Sequence, residues 1–159
     1  MERRDVKNIV LYYQTIPAMR KLLARERAEL LDEYSTMQAA GASTAHASTP
    51  GKPTEALALT LAMDDGGKRL DEIERMLALL DADREKIRAA LDAINGGYKR
   101  LLIFRYERGY SWAKISVTFG KPEGTIRHWN DKALDRLGET IEERGDADAL
   151  ARRASRART

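Results

Sequence analysis

Arg127 and His128 stand side by side in the run GTIRHWND, and both carry side chains that can hydrogen-bond to a planar or anionic partner. An arginine fork grips guanine through two parallel hydrogen bonds, and a histidine donates to, or accepts from, a base or a phosphate. Thr125, two positions earlier, can reach a phosphate or a thymine methyl, and Glu123, Gly124 and Asp131 fill the other polar positions of the stretch. Lys114 and Lys121, slightly upstream, can neutralise phosphate charge without reading a sequence.

Other chemistries lack their residues. There is no Cys, and the two histidines, His46 and His128, are too few and too far apart for a zinc cluster. The acids Asp64, Asp65, Asp71, Glu72 and Glu74 fall on the outer face of a long helix, where carboxylates are ordinarily solvated. No Ser/His/Asp grouping, glycine-rich phosphate loop or HExxH occurs. The expectation is a protein that is no enzyme and holds neither metal nor cofactor.

For Arg127 and His128 to work, they must sit on a helix held proud of a small apolar body, because a major groove about 12 Å wide admits one helix. The spacing predicts that arrangement. Ser111 reads as the N-cap of a helix WAKISVTF in which Trp112, Ile115 and Phe119 share a face. Gly120 follows where a tight turn needs positive φ. Pro122 and Glu123 open a second helix, with an acid near the positive end of its dipole. Its inner face is Ile126, Trp129, Ala133 and Leu137, and Glu123, Arg127, His128 and Asp131 project from the other side. Trp112 and Trp129 are read as core residues. Upstream, Leu101, Leu102, Phe104 and Tyr106 predict a short buried helix ending at Gly109.

The remaining chain predicts an all-α fold. Of its 159 residues 33% are charged and 43% apolar, a mixture that suits one or two small helical domains. Ile9, Tyr12, Ile16, Met19, Leu23, Leu30 and Met37 recur at helical spacing over 1–38, with Pro17 ending one helix or starting the next. Residues 39–53 are small, polar and broken by Gly and Pro, a flexible linker.

Over 54–97, with Thr54 as N-cap, +3/+4 counting from Ala56 gives Leu59, Met63, Gly66, Leu70, Ile73, Leu77, Leu80, Arg84, Ile87, Leu91, Ile94 and Tyr98. Eleven of these thirteen positions are apolar, a coiled-coil-like seam. Gly66-Gly67 should kink or interrupt it, and Asn95-Gly96-Gly97 should cap and break it. Leu70, Ile73, Leu77, Leu80, Ile87 and Leu91 are the candidates for a subunit contact, either with a second chain or with the N-terminal helix of the same one. The reader is expected over 98–143 and a disordered basic tail over 144–159.

Charge is uneven. Residues 99–136 carry 9 basic and 4 acidic side chains, against 6 and 10 over 54–98, within a formal net charge of +3. The third segment is therefore the expected polyanion contact. The N-terminus has no long apolar stretch and no run approaches the roughly 18 apolar residues of a membrane span, so the expectation is a soluble, intracellular protein without a membrane partner.

The run GYSWAKISVTFGKPEGTIRHWNDKALDRL resembles, without a gap, the helix-turn-helix of sigma-factor region 4. Gly109, Ser111, Trp112, Ile115, Gly120, Ile126, Arg127, Lys132, Ala133, Leu134 and Leu137 fit that pattern; Ser116 departs from its usual Ala, and Gly124 lacks a side chain at a base-reading place. The whole layout is similar to the phage-encoded regulators of the RinA and ArpU type. That resemblance implies a sequence-specific double-stranded DNA-binding activator of late phage genes in a bacterial cytoplasm, with the base-reading places on Glu123, Gly124, Arg127 and His128. A homo-oligomer, a dimer foremost, would read two half-sites. Two alternatives are a DNA-packaging oligomer of the small terminase kind, and a coiled-coil adaptor that contacts RNA polymerase.

Overall fold

The computed structural model describes residues 1–42 and 65–159, and every regular element among them is helical. The elements are α1 (Arg3–Ala42), α2 (Asp65–Ala93), α3 (Gly96–Leu102), α4 (Trp112–Phe119), α5 (Glu123–Glu143) and α6 (Ala147–Arg156); a π turn, Ile103–Glu107, extends α3. The all-α expectation holds for these residues. Thr54, His46, most of the 39–53 linker and the seam positions Ala56, Leu59 and Met63 lie outside them. Two compact units form, one from Met1–Ile16 with Asp81–Thr159, the other from Pro17–Leu80.

Pro17 does not break α1, which runs through it. A proline inside a helix removes one backbone bond and crowds the preceding turn. Here the apolar stripe on either side, Ile16 and Leu23, is buried, and that burial offsets the loss.

In the Pro17–Leu80 unit the two chain segments pair antiparallel. Arg69 forks onto Glu26 (Nε–Oε1 2.7 Å, Nη2–Oε2 2.9 Å) and Arg27 reaches Glu74 at 2.7 Å. Leu23, Tyr34, Ile73 and Leu80 are buried between them. Gly66 sits in the first turn of α2, and a Cβ there would lie 1.9 Å from the Tyr34 hydroxyl. The glycine is what lets the tyrosine cross the helix. Arg69 is held charged well above its usual range by Glu26 and then Glu72.

The seam residues are thus covered within one chain: Ile73, Leu80, Ile87 and Leu91 are buried, and Leu70 and Leu77 are half-buried. Among the described seam positions no continuous apolar stripe is left in solvent. The large apolar side chains left in solvent among the described residues are others: Leu22, Leu31, Met37, Met76 and Leu79, with Val117 of α4 the most exposed at 83%.

The larger unit is built on Val6, Ile9, Tyr12 and Ile16 of α1, Ile87, Ala90 and Leu91 of α2, Leu101 and Leu102 of α3, Leu134, Leu137 and Ile141 of α5, and Leu150 and Ala154 of α6, all buried. The helix breaks where Asn95-Gly96-Gly97 predicts, α2 ending at Ala93, and the Asn95 side chain accepts a hydrogen bond from Gly97 N–H and so caps α3. The tail expected to be disordered is instead α6. Leu150 and Ala154, one turn apart, give it an apolar stripe, and Arg153 anchors it: Nε and Nη2 clamp the fully buried carboxylate of Asp83, which also accepts from Tyr12 Oη at 2.9 Å. Burial and the bond to Asp83 push the Tyr12 hydroxyl well above its ordinary pKa, and Asp83 raises that of Arg153. Asp83 stands where seam counting put Arg84, which is exposed.

Candidate nucleic-acid interface

The reader unit is local in origin. Ser111 Oγ accepts from Lys114 N–H at 3.1 Å and starts α4. Gly120, at φ +64°, closes it in the left-handed conformation, its N–H and that of Lys121 bonding to Val117 and Ser116 carbonyls. Ser116 Oγ donates to the Lys121 carbonyl, so the residue that departs from the usual small Ala ties the turn shut. Pro122 then stands at the N-cap of α5, with Ile126 N–H reaching back to its carbonyl at 3.1 Å. Leu101, Ile115 and Ile126 form the centre, with Phe104, Tyr110, Trp112, Phe119 and Trp129 packed against it. Both tryptophans are half-buried members of this cluster, as the inner face predicts.

The two helices present the expected polar positions outward. Glu123, Gly124, Arg127, His128, Lys114 and Lys121 are exposed and Thr125 is half-buried. Arg127 is held in place from two sides: its guanidinium lies 5.6 Å from the centre of the Trp112 ring, and Nη2 is 3.7 Å from Glu123 Oε2 one turn earlier. Lys114 Nζ lies 3.9 Å over the Tyr110 ring.

Asp131 behaves differently from its neighbours on the stripe. It is half-buried, and its carboxylate is 3.5 Å from Nη1 of Arg3 on α1. Arg3 also forks onto Asp135, Nε–Oδ1 at 2.6 Å and Nη2–Oδ2 at 2.7 Å. That bond holds the Asp135 carboxyl below the usual carboxylate range and raises Arg3. Asp131 therefore belongs to an ion-pair cluster and is not a free polar reader.

The basic charge of the third segment also sits elsewhere than on α5. Within Glu123–Glu143 the acids Glu123, Asp131, Asp135, Glu139, Glu142 and Glu143 outnumber Arg127, Lys132 and Arg136. Upstream stand Lys99, Arg100, Arg105, Arg108, Lys114 and Lys121 against Glu107 alone. Lys99 pairs with Asp92, whereas the others have no carboxylate partner among the described residues. Several are braced on rings: Arg105 lies 4.2 Å over Trp112, Arg108 5.3 Å over Phe104, and Arg100 5.7 Å from Phe119. Arg105 Nη1 also donates to the Tyr110 carbonyl at 3.0 Å. Arg108, then Lys114, hold the Tyr110 hydroxyl below its ordinary pKa. Sequence reading counted these arginines in the segment's charge without assigning them a place. Their signal was spacing, since Arg105 and Arg108 stand one helical turn apart just before the Ser111 cap.

The π turn shapes this side. Arg108 N–H bonds to the Ile103 carbonyl at 2.9 Å, five residues back, which widens the helix where Tyr106 turns inward to accept from buried Asn130 Nδ2 at 3.2 Å.

Among the described residues no group of three His, Cys, Asp or Glu could hold a metal ion, and no helix is long and apolar enough to cross a membrane. No protein-family model, no curated protein and no solved structure matches the chain.

Proposed function

We propose that the chain is a sequence-specific double-stranded DNA-binding transcription regulator, a late-gene activator of a phage or prophage acting in a bacterial cytoplasm. The observation that carries the reading is the exposed N-terminal turn and a half of α5, where Arg127 and His128 face outward beside the unpaired cations Arg105, Arg108, Lys114 and Lys121. In this reading α5 enters the major groove, Arg127 forks onto guanine, His128 bonds to a base or phosphate, and Arg105, Arg108, Lys114 and Lys121 hold the backbone. The resemblance to sigma-factor region 4 and to RinA/ArpU-type regulators supports the same reading. One arginine gives modest discrimination, so two copies on two half-sites fit the function better than one.

The test is selection of bound duplexes from a randomised library, followed by competition binding at several salt concentrations. Arg127→Ala should lose about 1 to 3 kcal/mol on the selected site and flatten discrimination. Lys114→Ala should weaken all duplexes alike and lower the salt slope by about one. If Arg127→Ala leaves the specificity ratio intact, Arg127 is not the base reader.

A second reading rests on the exposed Leu22, Met37, Met76 and Leu79 of the Pro17–Leu80 unit. Apolar side chains left in solvent favour a protein contact, such as RNA polymerase. In that case the wild-type chain shows no salt-dependent binding to any duplex.

A further inference from the structure

The outward stripe of α5 is negative on its own account. Glu123, Arg127, Asp131 and Asp135 follow one another at four-residue spacing, three carboxylates to one guanidinium, along the helix that the proposed function sets against phosphate. Such a helix repels the polyanion it is meant to enter. Glu123 is engaged by Arg127 itself. The other two acids are engaged from the far end of the sequence, by Arg3, which forks onto Asp135 at 2.6 and 2.7 Å and stands 3.5 Å from Asp131.

We propose that Arg3 is an electrostatic mask of the reader helix: its guanidinium holds Asp131 and Asp135 and offsets their charge just beyond the DNA-facing turns. The proposal rests on the reading of α5 as the DNA-contacting helix. Three features favour a mask over a stabilising surface pair. Arg3, Asp131 and Asp135 side chains remain about half exposed, 55%, 51% and 43%, so the pairs contribute little to stability and act where solvent and DNA can reach them. The arginine fork is two-pronged on Asp135, which fixes the carboxylate direction. One cation serves two acids on the same stripe, which an isolated ion pair does not need. Arg3 here is a positioning residue that touches protein carboxylates and not the nucleic acid.

The experiment is a mutant cycle on the full chain: wild type, Arg3→Ala, Asp131→Asn/Asp135→Asn, and the combination, each titrated by fluorescence anisotropy against the library-selected duplex and an unrelated duplex. With the acids present, Arg3→Ala should weaken both duplexes by about fivefold at low salt, the loss shrinking as salt rises. With the acids replaced by amides, Arg3→Ala should cost almost nothing, since there is no charge left to mask, and Asp131→Asn/Asp135→Asn should bind at least as tightly as wild type. Arg3→Gln, which keeps length and polarity, is run beside Arg3→Ala with circular dichroism on both, so that lost helicity is separated from lost masking. An equal loss in both backgrounds would overturn the mask, because Arg3 would then be touching phosphate or merely holding the fold. A wild type that binds no duplex overturns the DNA reading itself, a result distinct from a cycle in which wild type binds but the two backgrounds do not differ.

Discussion

Replacing Arg153 with Met should be among the most damaging single changes in the larger unit, although the residue lies in a stretch that reads as tail. Arg153 Nε is 2.6 Å from Asp83 Oδ2, Nη2 bonds to Oδ1, and the carboxylate they hold is fully buried. Methionine fills the aliphatic stem but leaves the charge with a single neutral donor, Tyr12 Oη at 2.9 Å. Breaking a buried pair on one side costs about 3 to 5 kcal/mol, a large share of the roughly 5 to 15 kcal/mol of an ordinary domain. With a urea slope of about 2 kcal/mol per molar, the midpoint should fall by about 2 M. Asp83→Asn/Arg153→Met removes both charges and keeps a polar partner for Tyr12, so it should recover at least half of the loss; the cycle of four proteins gives a coupling of about 2 kcal/mol or more. Limited proteolysis should cut α6 first in Arg153→Met. If Arg153→Met unfolds at the wild-type midpoint with α6 still protected, the argument that this ion pair seats the helix is wrong.

Ile115→Ala should leave a cavity at the centre of the reader, cost about 2 to 5 kcal/mol, and abolish duplex binding together with near-ultraviolet dichroism; retention of both would refute the inner-face assignment. Gly138→Ala should destabilise by about 1 to 3 kcal/mol in urea titration, because a Cβ there comes within 2.9 Å of Val6 Cγ2 in a closed core, and a neutral result would mean that α1 can yield. Acid should weaken the fold through carboxyls that Arg69, Lys99 and Arg3 hold low, namely Glu26, Asp92 and Asp135. Their contribution is present above the unfolded carboxylate pKa of about 4 and is lost as pH falls through the lower folded values. The melting temperature should therefore drop only slightly on acidification below about pH 4, because all three pairs are solvent-exposed, and added salt should shrink the drop further.

What was legible in the sequence was local. Ser111, Gly120 and Pro122 announce the helix boundaries because each satisfies its own backbone within four residues, and Ile115, Ile126 and Leu137 announce the core by spacing alone. The seam was legible as a buried stripe but not as to its partner, because Ile73 and Leu80 look the same whether another chain or α1 covers them. Asp83 was invisible: a buried acid is acceptable only with partners 71 and 70 residues away, Tyr12 and Arg153. Arg3 escaped for the same reason, 132 residues from Asp135. The tail helix has no sustained apolar pattern to announce it: two apolar residues, Leu150 and Ala154, suffice for a stripe when Arg153 supplies the anchor. Pro17 signals a break that does not occur, since a single lost backbone bond does not stop a 40-residue helix whose apolar face is buried before and after it.

The split make-up of the larger unit, Met1–Ile16 joined by Asp81–Thr159, has a consequence for how the protein is made. A ribosome adding about 5 to 20 residues per second delivers Tyr12 and Asn8 many seconds before Arg153 and Arg158, to which their surroundings are bonded. During that wait the Pro17–Leu80 pairing can form from neighbours already synthesised, and the α3–α5 reader can follow. Val6, Asn8 and Tyr12 meanwhile lack Gly138, Arg158 and the Asp83–Arg153 pair that they meet in the finished unit. Closure of this unit therefore waits for α6, and α1, made before α5 and α6, is seated only once they exist.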